Sequence, residues 1–143
     1  KHPLARAVRI DKVTLSAMSS TLVAYLTSTH EKEIPIWNMI SLSESILANR
    51  AEKWQSKTGA GTVERARSTI GGGSLPGQTL PTYVLVIDYK GSAQNFVRCL
   101  RESPVAVVAR IENNRIILDP RTVLPDQDDA LIETIKFALD KCY

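Results

Sequence analysis

Arginine is the residue type in this sequence whose spacing most directly suggests chemistry. Arg6 and Arg9 lie three residues apart in a basic stretch near the start of the chain, so they share one face if that turn is helical. Two guanidinium groups placed in this way can bind a phosphate or a carboxylate. A basic face that is simply solvated shows the same spacing, and the residues alone leave both interpretations open.

Arg121 is a third arginine in a restricted setting. It follows a strand-like run and lies in a segment bounded by Pro120 and Pro125. Because proline restricts the backbone, a guanidinium fixed there can hold a substrate anion. It can equally pair with Asp119 or Glu112 as a structural bridge, and both roles stay open at this point.

A glycine-rich segment occupies residues 70–81 and reads IGGGSLPGQTLP. Glycine lets backbone approach backbone or a ligand closely, and proline stiffens the chain. One interpretation is a shaped loop whose amide N–H groups face an anion. The alternative is a crossover that only lets two strands pack, and the segment lacks the spacings GxxxxGK[ST] and GxGxxG of phosphate-binding loops.

Other catalytic patterns do not stand out in the sequence. It has no evident Ser-His-Asp, Cys-His or GxSxG arrangement and no cluster with metal-ligand spacing. His2 and His30 have no second ligand nearby in the sequence, so we expect both at the surface. The residues alone therefore indicate anion-binding arginines and no further chemistry.

The elements that position these residues follow from apolar periodicity. Leucine, methionine and tyrosine recur at helical spacing over 12–27 after a capping Asp11, and we expect Met18 and Tyr25 in a core. A second helix is predicted over 42–56, ended by glycines. Both helices precede the glycine-rich segment.

After residue 60 the pattern changes to strands. Residues 62–69 alternate between polar and apolar, and 82–89 contain a continuous apolar run. A helix between Ser92 and Pro104, a hairpin over 105–118 and a helix capped by Asp126 complete the order. An α+β fold, with a mostly antiparallel sheet and helices packed against a face, is the simplest solution.

Length and composition set the organisation. The chain has 143 residues, of which 43% are hydrophobic, which suits a helical arm over 1–60 and an α+β domain over 61–143. The net charge of +3 does not by itself indicate nucleic-acid binding. We expect no membrane span and no signal peptide, and two cysteines without metal spacing or a disulfide framework indicate the cytoplasm. Because the chain opens on a basic segment at Lys1, we expect a fragment of a longer protein.

Three motifs carry a resemblance to a known family. They are HPLARAVRIDK, IGGGSLPGQTLP and ARIENNRIILDPRTVLPDQDDAL, in this order along the chain. Together they resemble the C-terminal region of bacterial selenocysteine synthase, the L-seryl-tRNA(Sec) selenium transferase. The resemblance covers nearly the whole chain, and it implies the small C-terminal domain of a fold-type-I transferase that depends on pyridoxal phosphate.

The resemblance also implies a reaction and a cofactor. The family converts seryl-tRNA(Sec) to selenocysteinyl-tRNA(Sec) with selenophosphate, and pyridoxal 5'-phosphate serves as the electron sink. The cofactor lysine of the family lies in an SGDK-type motif upstream of HPL, which this sequence lacks, and Lys12 matches a different position. We therefore expect no catalytic residue in this chain, and no activity from the chain alone.

The resemblance assigns roles to particular residues. Arg6 and Arg9 match the RAxR arginines of the family, which suit a phosphate-like selenium donor. Within the glycine-rich segment we expect Gly72, Gly73 and Ser74 to line the site. Arg121 falls where many relatives of this fold type bind a substrate carboxylate, but the carboxyl of a seryl-tRNA is esterified and uncharged.

Partners and alternatives complete the expectations. The family implies homo-oligomers built from dimers, with seryl-tRNA(Sec) and selenophosphate as substrates and neither a metal nor a membrane involved. One alternative is a pyridoxal-phosphate lyase on the same scaffold that acts on a small amino acid or amino sugar. Another is a non-catalytic domain whose arginines form an anion-binding interaction surface.

Overall fold

A computed structural model describes residues 2–71 and 77–141 of the chain. The chain divides into two compact units, Lys1–Ser41 and Leu42–Tyr143. The helices are α1 (Leu4–Ala7), α2 (Lys12–Leu26), α3 (His30–Glu33), α4 (Pro35–Ser41), α5 (Glu44–Thr58), α6 (Ala93–Glu102) and α7 (Asp128–Lys141). The strands are β1 (Thr62–Thr69), β2 (Thr79–Ile87), β3 (Arg110–Glu112) and β4 (Arg115–Leu118), and two short 3₁₀ turns cover Pro120–Thr122 and Pro125–Gln127.

Helix α2 is the longest helix of the first unit, and its bounds agree with those of the predicted helix. Its N-cap is Asp11, as predicted, whose Oδ1 accepts hydrogen bonds from the amides of Val13 and Thr14, both at 2.9 Å. The expected core positions of Met18 and Tyr25 are wrong for this chain, because the two residues are 54% and 44% exposed. The other helices of the first unit are short and offer α2 few neighbours, so Ala24 is its only buried residue.

An aromatic cluster closes the C-terminal end of α2. His30 is half-buried and stacks on Tyr25 with ring centroids 5.0 Å apart, and the edge of Trp37 meets His30 at 5.7 Å. The Trp37 indole donates a hydrogen bond to the Tyr25 hydroxyl. The expectation of a surface histidine is therefore corrected, because the two neighbouring rings cover much of its imidazole.

The second unit contains one four-stranded sheet with the order β1-β2-β4-β3. All neighbouring strands are antiparallel, as predicted. Asn113 and Asn114 form the predicted hairpin turn with φ of 51° and 61°. Strand β3 begins at Arg110 and not at Val105, because its pairing with the short strand β4 covers the three residues Arg110–Glu112.

Helices α5, α6 and α7 cover one face of this sheet. Trp54 and Phe96 are the largest fully buried side chains there. They pack with apolar residues of β2, β4 and α7, including Leu85, Ile116 and Ile135, in one cluster. This burial supplies most of the hydrophobic stabilisation of the unit.

Helix α6 begins after Ser92 and ends before Pro104, as the sequence predicts. Phe96 and Leu100 are buried on its inner face. Cys99 of the same helix is half-buried and packs against the hydrophobic cluster.

Helix α5 belongs to the second unit because it packs on β2 and β1. Gly59 ends the helix in the left-handed conformation, with φ of 67°. Gly61 lets the backbone pass close to β2, since a Cβ there would lie 2.4 Å from the carbonyl oxygen of Val86. The units divide after Ser41, whereas the sequence predicts a domain boundary after residue 60, and the helical arm over 1–60 stays a prediction.

Candidate functional site

The basic pair lies at the start of the first unit. Arg6 is in the last turn of α1, which ends at Ala7, so Arg9 lies beyond the helix and the two do not share a helical face. Both side chains are exposed. Neither forms an ion pair with any residue in the part of the chain that the structure describes. Two such guanidinium groups are available to an oxyanion, which accepts charge-assisted hydrogen bonds from them.

Arg121 has a different environment from the basic pair. It lies in the 3₁₀ turn after β4 and is only 6% exposed. Its Nη2 donates to the carbonyl oxygen of Pro81 at 2.7 Å, and its Nη1 donates to that of Leu42 at 3.2 Å. Burial lowers the pKa of Arg121, and the negative charges of Asp119 and Glu44 oppose this shift. The guanidinium thus connects three segments of the second unit.

Asp119 is a buried carboxylate that accepts hydrogen bonds from three segments. Ser68 Oγ donates to Oδ2 at 2.5 Å, and Thr82 Oγ1 donates to Oδ1 at 2.9 Å. The backbone amide of Arg121 also donates to Oδ1, at 3.0 Å. Asp119 is 8% exposed, and Ser68 and Thr82 are 4% and 0% exposed. The three described donors satisfy a charge that is costly to bury alone.

A cavity of about 210 Å³ opens beside this carboxylate. Ser68 and Asp119 contribute polar atoms to its wall, and Arg110 contributes a cation that is also 3.5 Å from Glu112. The remaining wall is mainly apolar and comes from the segment before β3, from β4 and from α7. Its lining residues are Ser68, Thr69, Val107, Val108, Arg110, Ile117, Leu118, Asp119, Thr122, Val123 and Leu131.

The glycine-rich segment is described only at its two ends. Gly72, Gly73 and Ser74, which the sequence suggests as site-lining residues, lie outside the described residues. At the ends, the Ile70 amide donates to the Gln78 carbonyl oxygen at 3.3 Å. Ser68 and Thr82, which flank this segment, bond to Asp119, and Pro81 at its end bonds to Arg121.

The described residues do not build a site for pyridoxal phosphate. That cofactor needs a lysine held in a closed pocket. None of the described lysines is buried. Lys53 and Lys57 lie 3.5 and 3.3 Å from Asp129, Lys136 lies 3.0 Å from Glu133, and Lys141 lies over the Phe137 ring.

Two further kinds of feature are absent from the described residues. No group of three or more histidine, cysteine, aspartate or glutamate side chains among them could hold a metal ion. No helix among them is long and apolar enough to cross a membrane.

Sequence reasoning missed two buried carboxylates. The sequence suggests Asp119 only as a partner for Arg121, and it places Asp128 only near the start of the last predicted helix. Both make contacts across 37 to 78 residues of sequence. A local signal existed only for Asp119, which stands directly before a proline at the end of a strand.

Comparison with known proteins gives consistent matches. A sequence model of the family described as "SelA: L-seryl-tRNA selenium transferase" matches residues 1–124. Relatives named L-seryl-tRNA(Sec) selenium transferase include those of Carboxydothermus hydrogenoformans, 35% identical over 90% of this chain, and Geobacter sulfurreducens, 37% identical over 95%. That of Geotalea uraniireducens is 39% identical over 94%. The chain spans 29% to 31% of the length of these three relatives.

Proposed function

The chain belongs to the L-seryl-tRNA selenium transferase family, and from this membership we propose that it is the C-terminal part of a longer selenium transferase. The whole enzyme converts seryl-tRNA(Sec) to selenocysteinyl-tRNA(Sec) with selenophosphate. The observation that carries the proposal is the family match over residues 1–124. Relatives about three times as long as this chain support the view that it is one part of such an enzyme.

The proposed architecture places this chain in a small domain of fold type I. The four-stranded antiparallel sheet with helices on one face is compatible with such a domain. The parent would form homo-oligomers built from dimers in the cytoplasm, and it would bind pyridoxal phosphate through residues outside this chain. That cofactor supplies an electron sink for chemistry at the seryl β-carbon. If the cofactor is bound outside this chain, the chain alone should be inactive.

The proposed role of Arg6 and Arg9 is to bind the selenium donor. Selenophosphate is a multiply charged oxyanion, and two exposed guanidinium groups with no described acidic partner suit it electrostatically. Their charge would hold the donor where the selenium is delivered and would stabilise negative charge in the transition state. Gly72, Gly73 and Ser74 are proposed to line the same site.

The proposed role of Arg121 as an anion-binding residue competes with its described contacts. Its guanidinium donates to two backbone carbonyl oxygens within the second unit. These contacts favour a role in holding segments of the domain together. A variant of this residue separates the two roles, as described below.

The cofactor proposal is tested on the full-length protein. We would record its visible absorption, reduce it with borohydride and map the labelled peptide. We expect the absorption of lysine-bound pyridoxal phosphate and a label on a lysine outside this chain. A protein that stays colourless with added cofactor would favour the non-catalytic interaction domain. A label within residues 1–143 would contradict the proposed division of the enzyme.

The substrate proposal is tested separately from the cofactor. Seryl-tRNA(Sec) and free small amino acids or amino sugars would be offered to the same preparation. Conversion of the tRNA-bound seryl group supports the transferase. Elimination from a small substrate, with no reaction of the seryl-tRNA, would identify the lyase instead.

A further inference from the structure

Asp119 connects two segments that flank the glycine-rich connection. Ser68 is the penultimate residue of β1, and Thr82 lies near the start of β2. Both hydroxyls donate to the one carboxylate of Asp119, across 51 and 37 residues of sequence. We propose that Asp119 is a positioning residue that fixes where the connection between β1 and β2 leaves the sheet and where it returns.

Burial makes this arrangement costly to disturb. The side chains of Ser68, Thr82 and Asp119 are all more than nine-tenths buried. Loss of one partner of a buried hydroxyl or carboxylate costs free energy, and this cost disfavours geometries in which the hydrogen bond is not made. The two strand ends are therefore held at one relative position.

A second attachment lies beside the first. The Arg121 guanidinium donates to the carbonyl oxygen of Pro81, the residue before Thr82, at 2.7 Å. Arg67, next to Ser68, donates from Nε to Thr79 Oγ1 at 2.5 Å and from Nη2 to the Thr79 carbonyl oxygen at 2.9 Å. The Arg121–Pro81 bond comes from the turn that begins at Asp119, because the Arg121 amide bonds to the Asp119 carboxylate. The Arg67–Thr79 bonds join the two strands to each other.

The functional consequence rests on the function proposed above. If residues of the glycine-rich segment line the transferase site, the geometry of the strand ends sets their position. A misplacement of catalytic groups by about 1 Å can reduce turnover by about 100-fold. Asp119 thus contributes to turnover without contacting substrate.

The test uses full-length protein with substitutions at the carboxylate and at its donors. Asp119→Ala removes all three hydrogen bonds, whereas Asp119→Asn keeps acceptors for Thr82 and the Arg121 amide and offers an NH₂ to Ser68. Ser68→Ala and Thr82→Val each remove one bond and serve if Asp119→Ala does not fold. Asp128→Ala is the matched control, since Asp128 is a buried carboxylate of the same unit that bonds to Arg50 and not to β1 or β2.

Two readouts separate positioning from general destabilisation. Hydrogen exchange in residues 66–71 and 77–82, measured relative to the rest of the second unit, should rise more in the Asp119→Ala variant than in Asp128→Ala. With rates normalised to bound cofactor, kcat should fall 10- to 100-fold in Asp119→Ala, with little change in KM for seryl-tRNA. Asp119→Asn should retain most of the turnover because its hydrogen bonds can re-form.

Several outcomes would overturn the proposed positioning role of Asp119. Exchange in 66–71 and 77–82 that rises no more than in Asp128→Ala would overturn the proposal, and so would an unchanged normalised kcat. Equal loss in Asp119→Asn and Asp119→Ala would show that charge, and not positioning, is what matters. If the wild-type protein forms no selenocysteinyl-tRNA, the proposed function fails, while hydrogen exchange still decides whether Asp119 fixes the strand ends.

Discussion

Arg50 and Asp128 form a buried ion pair that joins α5 to the first turn of α7. Arg50 Nη2 donates to Asp128 Oδ1 at 2.6 Å and Nε donates to Oδ2 at 3.2 Å, with the side chains 9% and 6% exposed. The same guanidinium donates to the carbonyl oxygens of Pro120 and Val123 at 2.7 and 2.8 Å. Arg50 thus holds the segment between β4 and α7, which contains Arg121, against α5.

Removal of either partner of this pair should strongly destabilise the second unit. Arg50→Ala leaves the Asp128 carboxylate buried without its main partner, so we expect a loss of about 3–5 kcal/mol in unfolding free energy. Trp54 fluorescence in a Trp37→Phe background can report the transition, because the Arg50 guanidinium lies 5.6 Å from the Trp54 ring. Lys53→Ala is the control: Lys53 is half-exposed and 3.9 Å from Asp128, and its loss should cost below about 1 kcal/mol. Equal effects of the two variants would contradict the account.

The two roles open to Arg121 predict different effects of its substitution. If its guanidinium holds the domain together, Arg121→Ala should lower the unfolding free energy by about 2–4 kcal/mol, because two partly buried carbonyl oxygens lose a charged donor. Arg121→Lys should recover only part of this, since one ammonium cannot reproduce the planar fork. Wild-type stability in Arg121→Ala, together with a raised KM for selenophosphate, would instead support anion binding.

The cap of α2 should depend on pH. Asp11 accepts a hydrogen bond from the Thr14 hydroxyl at 2.6 Å, and this bond and the Thr14 amide lower the pKa of Asp11. A pKa lowered by folding means that the cap stabilises α2 above the ordinary aspartate pKa, and that this contribution is lost as pH falls through the lowered value. NMR titration of the Asp11 carboxyl carbon should give a midpoint below the ordinary range.

Thr14→Val should move that midpoint upward, because it removes the largest cause of the shift. Asp11→Asn should keep the cap at every pH, since an amide oxygen also accepts from the helix amides. A midpoint at or above the ordinary aspartate value in the wild-type chain would show that the described cap does not form.

The basic pair should matter for the selenium donor and not for the cofactor. Replacing both Arg6 and Arg9 by alanine in the full-length protein should leave cofactor binding intact and cost about 2–4 kcal/mol of transition-state stabilisation. The change would be read from kcat/KM at subsaturating selenophosphate. Arg65→Ala is the matched control, because Arg65 is exposed and pairs with Glu44 at 2.9 Å. Unchanged kcat/KM in the double variant would remove the proposed role.

Local signals in the sequence predict most of the elements. Three of these signals act over only a few residues of sequence. Asp11 precedes a helical apolar pattern, Gly59 follows another, and the Asn113-Asn114 pair separates two strands. The structure confirms the predicted helix cap, helix end and turn. The continuous apolar run in β2 correctly predicts a strand that is buried over Val84–Ile87.

Features that depend on distant partners could not be predicted in this way. The residues before Arg110 are as apolar as a strand, but no pairing continues beyond Arg110 opposite Ile117, so the strand is short. The Asp119 cluster and the Arg50–Asp128 pair depend on which segments meet in three dimensions. Met18 has the period of a core residue, yet burial also requires a neighbour to cover it.

The most direct test of the account is the reaction of the full-length protein with seryl-tRNA(Sec) labelled in the seryl group. The account predicts selenocysteinyl-tRNA(Sec) when selenophosphate is present, and no such product when it is omitted. A protein that binds pyridoxal phosphate but leaves the labelled seryl-tRNA unchanged in the presence of selenophosphate would contradict the central claim.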